Sequence, residues 1–240
     1  MSAREVHEEP QPEALSVTQR TTLKRLPERG SYDRAVIDAI LDEALICHLG
    51  FTGADGQPFV VPTICGRDGD TVYVHGSVAS RMLRTLGKGA SACLTVTLID
   101  GIVAARSGFH SSMNYRSVML LGTPRLVDDP AEKGRALDVI VDHVLPGRTA
   151  ELRGPTEIEL RQTVVLALPI EEGSAKVRTG GPKDDEADLD GDAWSGVLPL
   201  RTEVGSPVAA DDLRAGIPLP ASISGYHRPT GATPGTTNGR

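Results

Sequence analysis

Aromatic side chains are scarce. Phe, Trp and Tyr together make up 3% of the 240 residues, with a single tryptophan, Trp194. Such a chain cannot build the row of rings on which successive nucleic-acid bases stack. An excess of basic charge is lacking too: 25 Lys and Arg against 32 Asp and Glu give a formal net charge of −7. That sign is wrong for a surface that neutralises a phosphate backbone. No apolar run approaches the ~20 residues that a helix needs to cross a bilayer. The first fifteen residues, MSAREVHEEPQPEAL, lack the basic-then-apolar order of a secretory signal. The expectation is a cytoplasmic protein without nucleic-acid or membrane partners. Cysteines are few and widely spaced, Cys47, Cys65 and Cys93, each in an apolar segment. With no Cys-x-x-Cys and no Cys/His cluster, neither a disulfide framework nor a metal site is expected. A Walker loop, a dinucleotide-binding glycine fingerprint and an assignable catalytic triad are likewise missing.

What remains is a chain with 39% hydrophobic residues, enough for one substantial core. Residues 1–25 mix Glu, Pro, Gln and Ser without periodicity and read as a disordered lead-in. Ser31 is placed to cap a helix in which Val36, Ile37, Ile40, Leu41 and Ala44 recur at helical spacing. The period then changes. Leu45–Phe51, Phe59–Cys65 and Thr71–His75 are short apolar runs separated by turn residues, the pattern of an antiparallel meander. Ser80–Leu86 reads as a short helix. Ala92–Leu98 and Ile102–Ala105 flank Asp100-Gly101, a hairpin signal. Ser117–Val127 reads as a strand that Pro124 bends or places at an edge. Pro130 opens a helix through His143, and Thr163–Pro169 and Ser174–Thr179 complete the strands. The fold class is mainly β: a barrel with flanking helices over 26–200, followed by a flexible tail over 201–240.

Three segments concentrate chemistry. In Val74-His75-Gly76-Ser77-Val78-Ala79-Ser80-Arg81-Met82-Leu83-Arg84 a strand runs through small residues into a helix start with hydroxyls and two guanidinium groups. That combination suits a phosphate, or else it is a capped helix whose arginines face water. Phe109–Val118, with Asn114, Tyr115, Arg116 and Ser117, offers hydrogen-bonding groups fit for the edge of a flavin ring, or a polar loop at a barrel rim. Ala193–Leu200 carries Trp194, which either covers a cofactor or pins the C-terminal segment to the core. Lys176 and Arg178 could reach a phosphate or pair with Asp184. His75 could touch a ligand or move a proton, or serve a structural role, as His48 does by its alternation with apolar neighbours.

The order of these motifs resembles the pyridoxamine 5′-phosphate oxidase-related family of flavin mononucleotide (FMN)-binding split barrels, in particular its nitroimidazole-resistance branch. The resemblance runs from the first helix and Leu45–Phe51 through Val60-Val61-Pro62, Val72–His75, Ser80-Arg81 and the Asn-Tyr-Arg-Ser segment to Lys176–Gly180 and Trp194–Pro199. It implies a homodimer with FMN in two interfacial clefts and a reductase or oxidase acting on a small organic substrate. By position, Ser77, Ser80, Arg81 and Arg84 would hold the phosphate. Asn114, Tyr115, Arg116 and Ser117 would lie near the flavin with His75, the one catalytic candidate, and Trp194 would approach the ring edge. Met82 stands where many relatives carry a second base, for which Arg84 compensates. The Arg-x-His element that binds substrate in true pyridoxamine phosphate oxidases is missing, so that activity is not expected. The alternatives are a flavin-binding module without turnover, or a deazaflavin- or heme-binding relative.

Overall fold

The computed structural model describes residues 13–227; residues 1–12 and 228–240, the outer parts of the two expected tails, lie outside it. In chain order the elements are β1 (Gly30–Ser31), α1 (Arg34–Glu43), β2 (Cys47–Thr52), β3 (Pro58–Thr63), β4 (Cys65–Asp68), β5 (Thr71–Ser77), α2 (Arg81–Leu86) and β6 (Ala92–Ala104). There follow β7 (Ser112–Gly122), β8 (Arg125–Leu126), α3 (Pro130–Val144), α4 (Glu157–Gln162), β9 (Thr163–Pro169), β10 (Glu172–Arg178), β11 (Gly196–Pro199) and α5 (Ala221–Ser224). One sheet runs β1-β10-β7-β6-β2-β3 with β11 alongside β6, and the other runs β4-β5-β9-β8. Every pairing between them is antiparallel. This is the mainly β barrel with flanking helices that the patterning led to, split as the resemblance implies. No helix among the described residues is long and apolar enough to cross a membrane.

Alternation sets the layers. Leu49, Val72, Val74, Leu94, Val96, Val118, Leu120, Leu166 and Leu168 point into one core, with Ile37, Ile40 and Leu41 of α1 and Leu83 and Leu86 of α2 packed among them. The other face of the second sheet forms a smaller core in which Tyr73, Val165 and Ala167 meet Ala136 and Ile140 of α3. The helix comes in close because Gly66 has no side chain: a Cβ there would lie 2.9 Å from the Ile140 Cα. Cys47 and Cys65 are free and buried in the larger core. A thiol–thiol hydrogen bond with Cys65, reinforced by burial, pushes the Cys47 thiol far above its ordinary value, so it is inert at neutral pH.

Several local expectations change. Asp33 caps α1, its Oδ1 accepting the Ala35 N–H at 2.8 Å, and Ser31 accepts only from the Asp33 N–H at 3.2 Å. The run Phe59–Cys65 divides at Ile64 into β3 and β4, which belong to different sheets. Asp100-Gly101 is no hairpin turn. One strand, β6, continues through it with a register shift against β7 between Ile99 and Gly101, a bulge. The strand read as Ser117–Val127 begins at Ser112 and stops at Gly122; beyond Pro124 the chain crosses to the second sheet as β8. Within the lead-in, residues 13–25 lie on the barrel: Leu15 is part of the main core, and Thr18 bonds Glu172 at 2.5 Å. In the C-terminal tail, the Ser222 N–H donates to Glu151 at 3.0 Å.

The short helix α4, which leads into β9, depends on its capping box. Thr156 accepts the Glu159 N–H, and Glu159 accepts the Thr156 N–H at 2.7 Å. Arg153, then the Thr156 N–H and hydroxyl, hold the Glu159 carboxyl down at about 2. Thr156→Ala is expected to cost about 1 kcal/mol, read as a lower urea midpoint at unchanged slope.

Candidate cofactor site

The hairpin turn between β2 and β3 faces α2 across an open hollow of about 570 Å³ lined by Thr52, Arg81, Arg84, Thr85 and Lys88 among others. The cations recur at i, i+3 and i+7, one face of a helix and its C-terminal extension. The opposite face, Met82, Leu83 and Leu86, is buried. Ser80 caps the helix, accepting the Leu83 N–H at 3.4 Å, and Ser77 accepts the Ala79 N–H at 3.2 Å. Both hydroxyl hydrogens stay free to donate. The Arg81 guanidinium lies 4.3 Å over the Phe59 ring, which stacks on Phe51 at 5.4 Å. Stacking fixes the arginine without using its N–H groups. No carboxylate lines the hollow, and Arg81, Arg84 and Lys88 form none of the ion pairs among the described residues. On a chain of net charge −7, three cations without an ion-pair partner among the described residues line one hollow.

Of the sequence candidates only Arg81 and Arg84 line the hollow; Ser77, Ser80 and the others are not among its lining residues. His75 shares a face of β5 with Tyr73, the face toward α3, and pairs with Val165. Its Nδ1 is buried without a partner, and burial pushes the imidazole below its ordinary value, leaving it neutral at pH 7. Arg116 is held by two acids: Nη1 and Nη2 reach Glu43 at 2.5 and 2.8 Å, and Nε and Nη2 reach Asp100 at 3.0 and 2.8 Å. It therefore joins α1, the β6 bulge and β7. Ser117 donates to the Lys176 carbonyl at 3.3 Å, and Tyr115 stands opposite Arg178 in the β7–β10 register. Asn114 is buried, donating to the Gly180 carbonyl at 3.1 Å and accepting from Arg178. Trp194 is 70% exposed, and its ring lies over Gly196, where a Cβ would come 2.8 Å from it.

Sequence reasoning passed over Lys88, Thr85 and Phe59. The spacing 81, 84, 88 was the available signal for Lys88, whereas Phe59 and Thr52 come from a distant hairpin that only the fold brings near. Asp184 takes Arg106 as its partner at 2.8 Å rather than Lys176 or Arg178. Burial alone would raise the Asp184 carboxyl, but the Arg106 N–H and guanidinium and the Ser195 hydroxyl hold it below its ordinary value.

The family model for pyridoxamine 5′-phosphate oxidase matches residues 33–177, the span from the α1 cap to the penultimate residue of β10 and thus every wall of this hollow. The chain belongs to the pyridoxamine 5′-phosphate oxidase-like family. Within that family it is similar to the flavocytochrome Anf3 from Azotobacter vinelandii, with 41% identity over 90% of this chain and 100% of that one and a TM-score of 0.83. It is also similar to an FAD- and heme-binding protein from Mycobacterium smegmatis, with 43% identity over 82% of this chain and 96% of that one and a TM-score of 0.79. A protein assigned to 5-nitroimidazole antibiotic resistance, from Bacteroides thetaiotaomicron, is more distant: 27% identity over 62% and 86% of the two chains, TM-score 0.53. No curated protein matches the sequence.

Proposed function

We propose that the chain is a flavin-dependent redox protein whose cofactor phosphates lie in the hollow at α2. The observation that carries this reading is the trio Arg81, Arg84 and Lys88, facing one cavity with no acid to neutralise them. Arg81 offers a planar fork on a fixed stack, Arg84 a second fork one turn on, and Lys88 a point charge at the far end. Thr52 and Thr85 add hydroxyl donors. Three cations match the two phosphates of FAD better than the one of FMN, and an FAD-binding relative at 43% identity favours the same choice. FMN, implied by the motif order, differs by a phosphate and an adenosine, so extraction and chromatography of the released cofactor separate the two.

A bound flavin supplies hydride or single-electron transfer; this chain's residues bind it and orient it. A second cofactor, heme, is favoured by the two relatives named for it. His75 has the donor that an iron porphyrin needs: a ring held neutral by burial, with an unpartnered nitrogen. The protein works as a homodimer, and Ile99, Ile102, Trp194 and Leu198 offer the exposed apolar surface.

The protein as isolated is expected to be yellow, with an intense additional Soret band where heme is retained. Anaerobic NADH or NADPH should bleach the flavin band, and a nitroimidazole or another small organic acceptor should restore it. A colourless protein that takes up no added FAD or FMN would overturn the reading. Uptake without bleaching by any donor would leave a binding module in place of an enzyme.

A further inference from the structure

Among the described residues two arginines are buried, Arg34 and Arg178, at 4% and 7% exposure. Burying a guanidinium is costly unless a counter-charge comes with it. Arg34 follows the rule, with Asp38 at 3.0 Å and Asp70 at 2.5 Å. Arg178 does not. Among the described residues it forms no ion pair, and its one side-chain hydrogen bond runs from Nη1 to the neutral Asn114 Oδ1. Its Nε is buried with no partner at all. Burial first, and then Arg29, pull the Arg178 guanidinium below its ordinary value; Tyr115 opposes them, and no carboxylate does. Arg29, just before β1, forms no ion pair among the described residues either.

The unused edge has a definite shape. With Nη1 committed to Asn114, Nε and Nη2 remain, the two parallel N–H directions that clasp a carboxylate side-on. Among the described residues this edge is used three times on the protein's own acids. Arg20 clasps Glu172 through Nε and Nη2. Arg67 holds Asp42 through Nε at 2.8 Å and Nη2 at 2.6 Å, and Arg116 holds Asp100 through the same two nitrogens. Asn114 is itself fixed by the Gly180 carbonyl at 3.1 Å, so Arg178 is held in orientation without being neutralised.

We infer that Arg178, backed by Asn114 and flanked by Arg29 at the junction of β1, β7 and β10, is a recognition site for the carboxylate of a small-molecule ligand. It is separate from the phosphate hollow at α2, with which it shares no residue, and it does not depend on the flavin assignment. Phosphate offers related oxyanion geometry and is the competing ligand that the test separates.

Succinate and inorganic phosphate serve as probes, titrated calorimetrically into the protein as isolated, with thermal unfolding followed in parallel. Succinate is expected to bind and to raise the melting temperature. Arg178→Met and Arg178→Lys should each weaken binding at least tenfold, the lysine because it keeps the charge and loses the fork. Arg29→Ala should weaken it less. The double variant Arg81→Ala/Arg84→Ala should bind succinate as the wild type does while losing flavin, so failure at one site is distinguishable from failure at the other. Without added anion, Arg178→Met should melt at most slightly below the wild type, because the charge removed has no counter-charge and only the Asn114 hydrogen bond is lost. Several results would overturn the inference: no succinate binding by the wild type, equal binding by Arg178→Met, loss in the α2 double variant instead, or marked destabilisation of Arg178→Met in anion-free buffer. Phosphate binding that depends on Arg178, without succinate binding, would overturn the carboxylate assignment and make the site one for phosphate.

Discussion

Replacing Arg81 and Arg84 together by alanine is expected to weaken flavin binding a hundredfold or more without unfolding the protein. A hydrogen bond to a charged group contributes about 1.5–3 kcal/mol, so losing two such contacts removes about 3 kcal/mol or more, which is about two decades in Kd. The fold should hardly notice. Both side chains are exposed and form no ion pair, and surface substitutions of this kind usually fall within about 0.5 kcal/mol of neutral. Arg81 also loses its stack on Phe59, a contact of about 0.5–1 kcal/mol at an exposed site. Quenching of flavin fluorescence gives the affinity, and a thermal melt of the same sample gives the stability. Wild-type affinity in the double variant would remove α2 from the cofactor site. Because the site is open to solvent, wild-type affinity should also fall as salt rises, and the double variant should show a shallower dependence.

The second large effect concerns stability. Arg116→Met is expected to cost about 3 kcal/mol and to leave flavin affinity per folded molecule unchanged. The guanidinium is 17% exposed, and it neutralises Glu43 and Asp100, whose side chains are 14% and 30% exposed. Removing one member of a buried ionic cluster costs about 3–5 kcal/mol, because the acids it neutralised stay behind. Water reaches Asp100 well enough to place this case at the low end. Urea unfolding measures the loss. Arg116→Met/Glu43→Leu should recover part of it, since the deeper of the two acids goes too. A stable Arg116→Met protein that has lost its flavin would instead move Arg116 into the cofactor site, as its place in the Asn-Tyr-Arg-Ser segment suggested.

Much of the architecture could be read from residue periodicity, and the reasons for the misreadings are physical. Helix and strand periods placed α1, α2, α3, β2, β5 and β9, because each presents one apolar face to a core. Propensity misled where a long-range partner decided the local conformation. Asp100-Gly101 looks like a turn, but two bonds from Arg116 stretch it into a bulge. Ile64 sits within an unbroken apolar run, yet the chain changes sheet there, and Gly66 beyond it admits α3. Residues 13–25 are polar in composition, but Leu15 and the Thr18–Glu172 bond fasten them to the barrel. In the site, the spacing of Arg81 and Arg84 was visible along the chain. The isolation of Arg178 was not, because a missing acid shows only once every neighbour is in place.

The Asp184 carboxylate carries a mechanical role out of proportion to its size. It ties the Arg106 N–H and guanidinium to the Ser195 hydroxyl, buckling an acid-rich strap one residue before β11 begins. β11 in turn covers Gly101–Ala104 of β6. Unbuckled, that stretch would turn a bare ladder of amides and carbonyls outward, the kind of seam along which one chain recruits another into an aggregate. A single carboxylate thus closes the barrel's long hairpin against unwanted company.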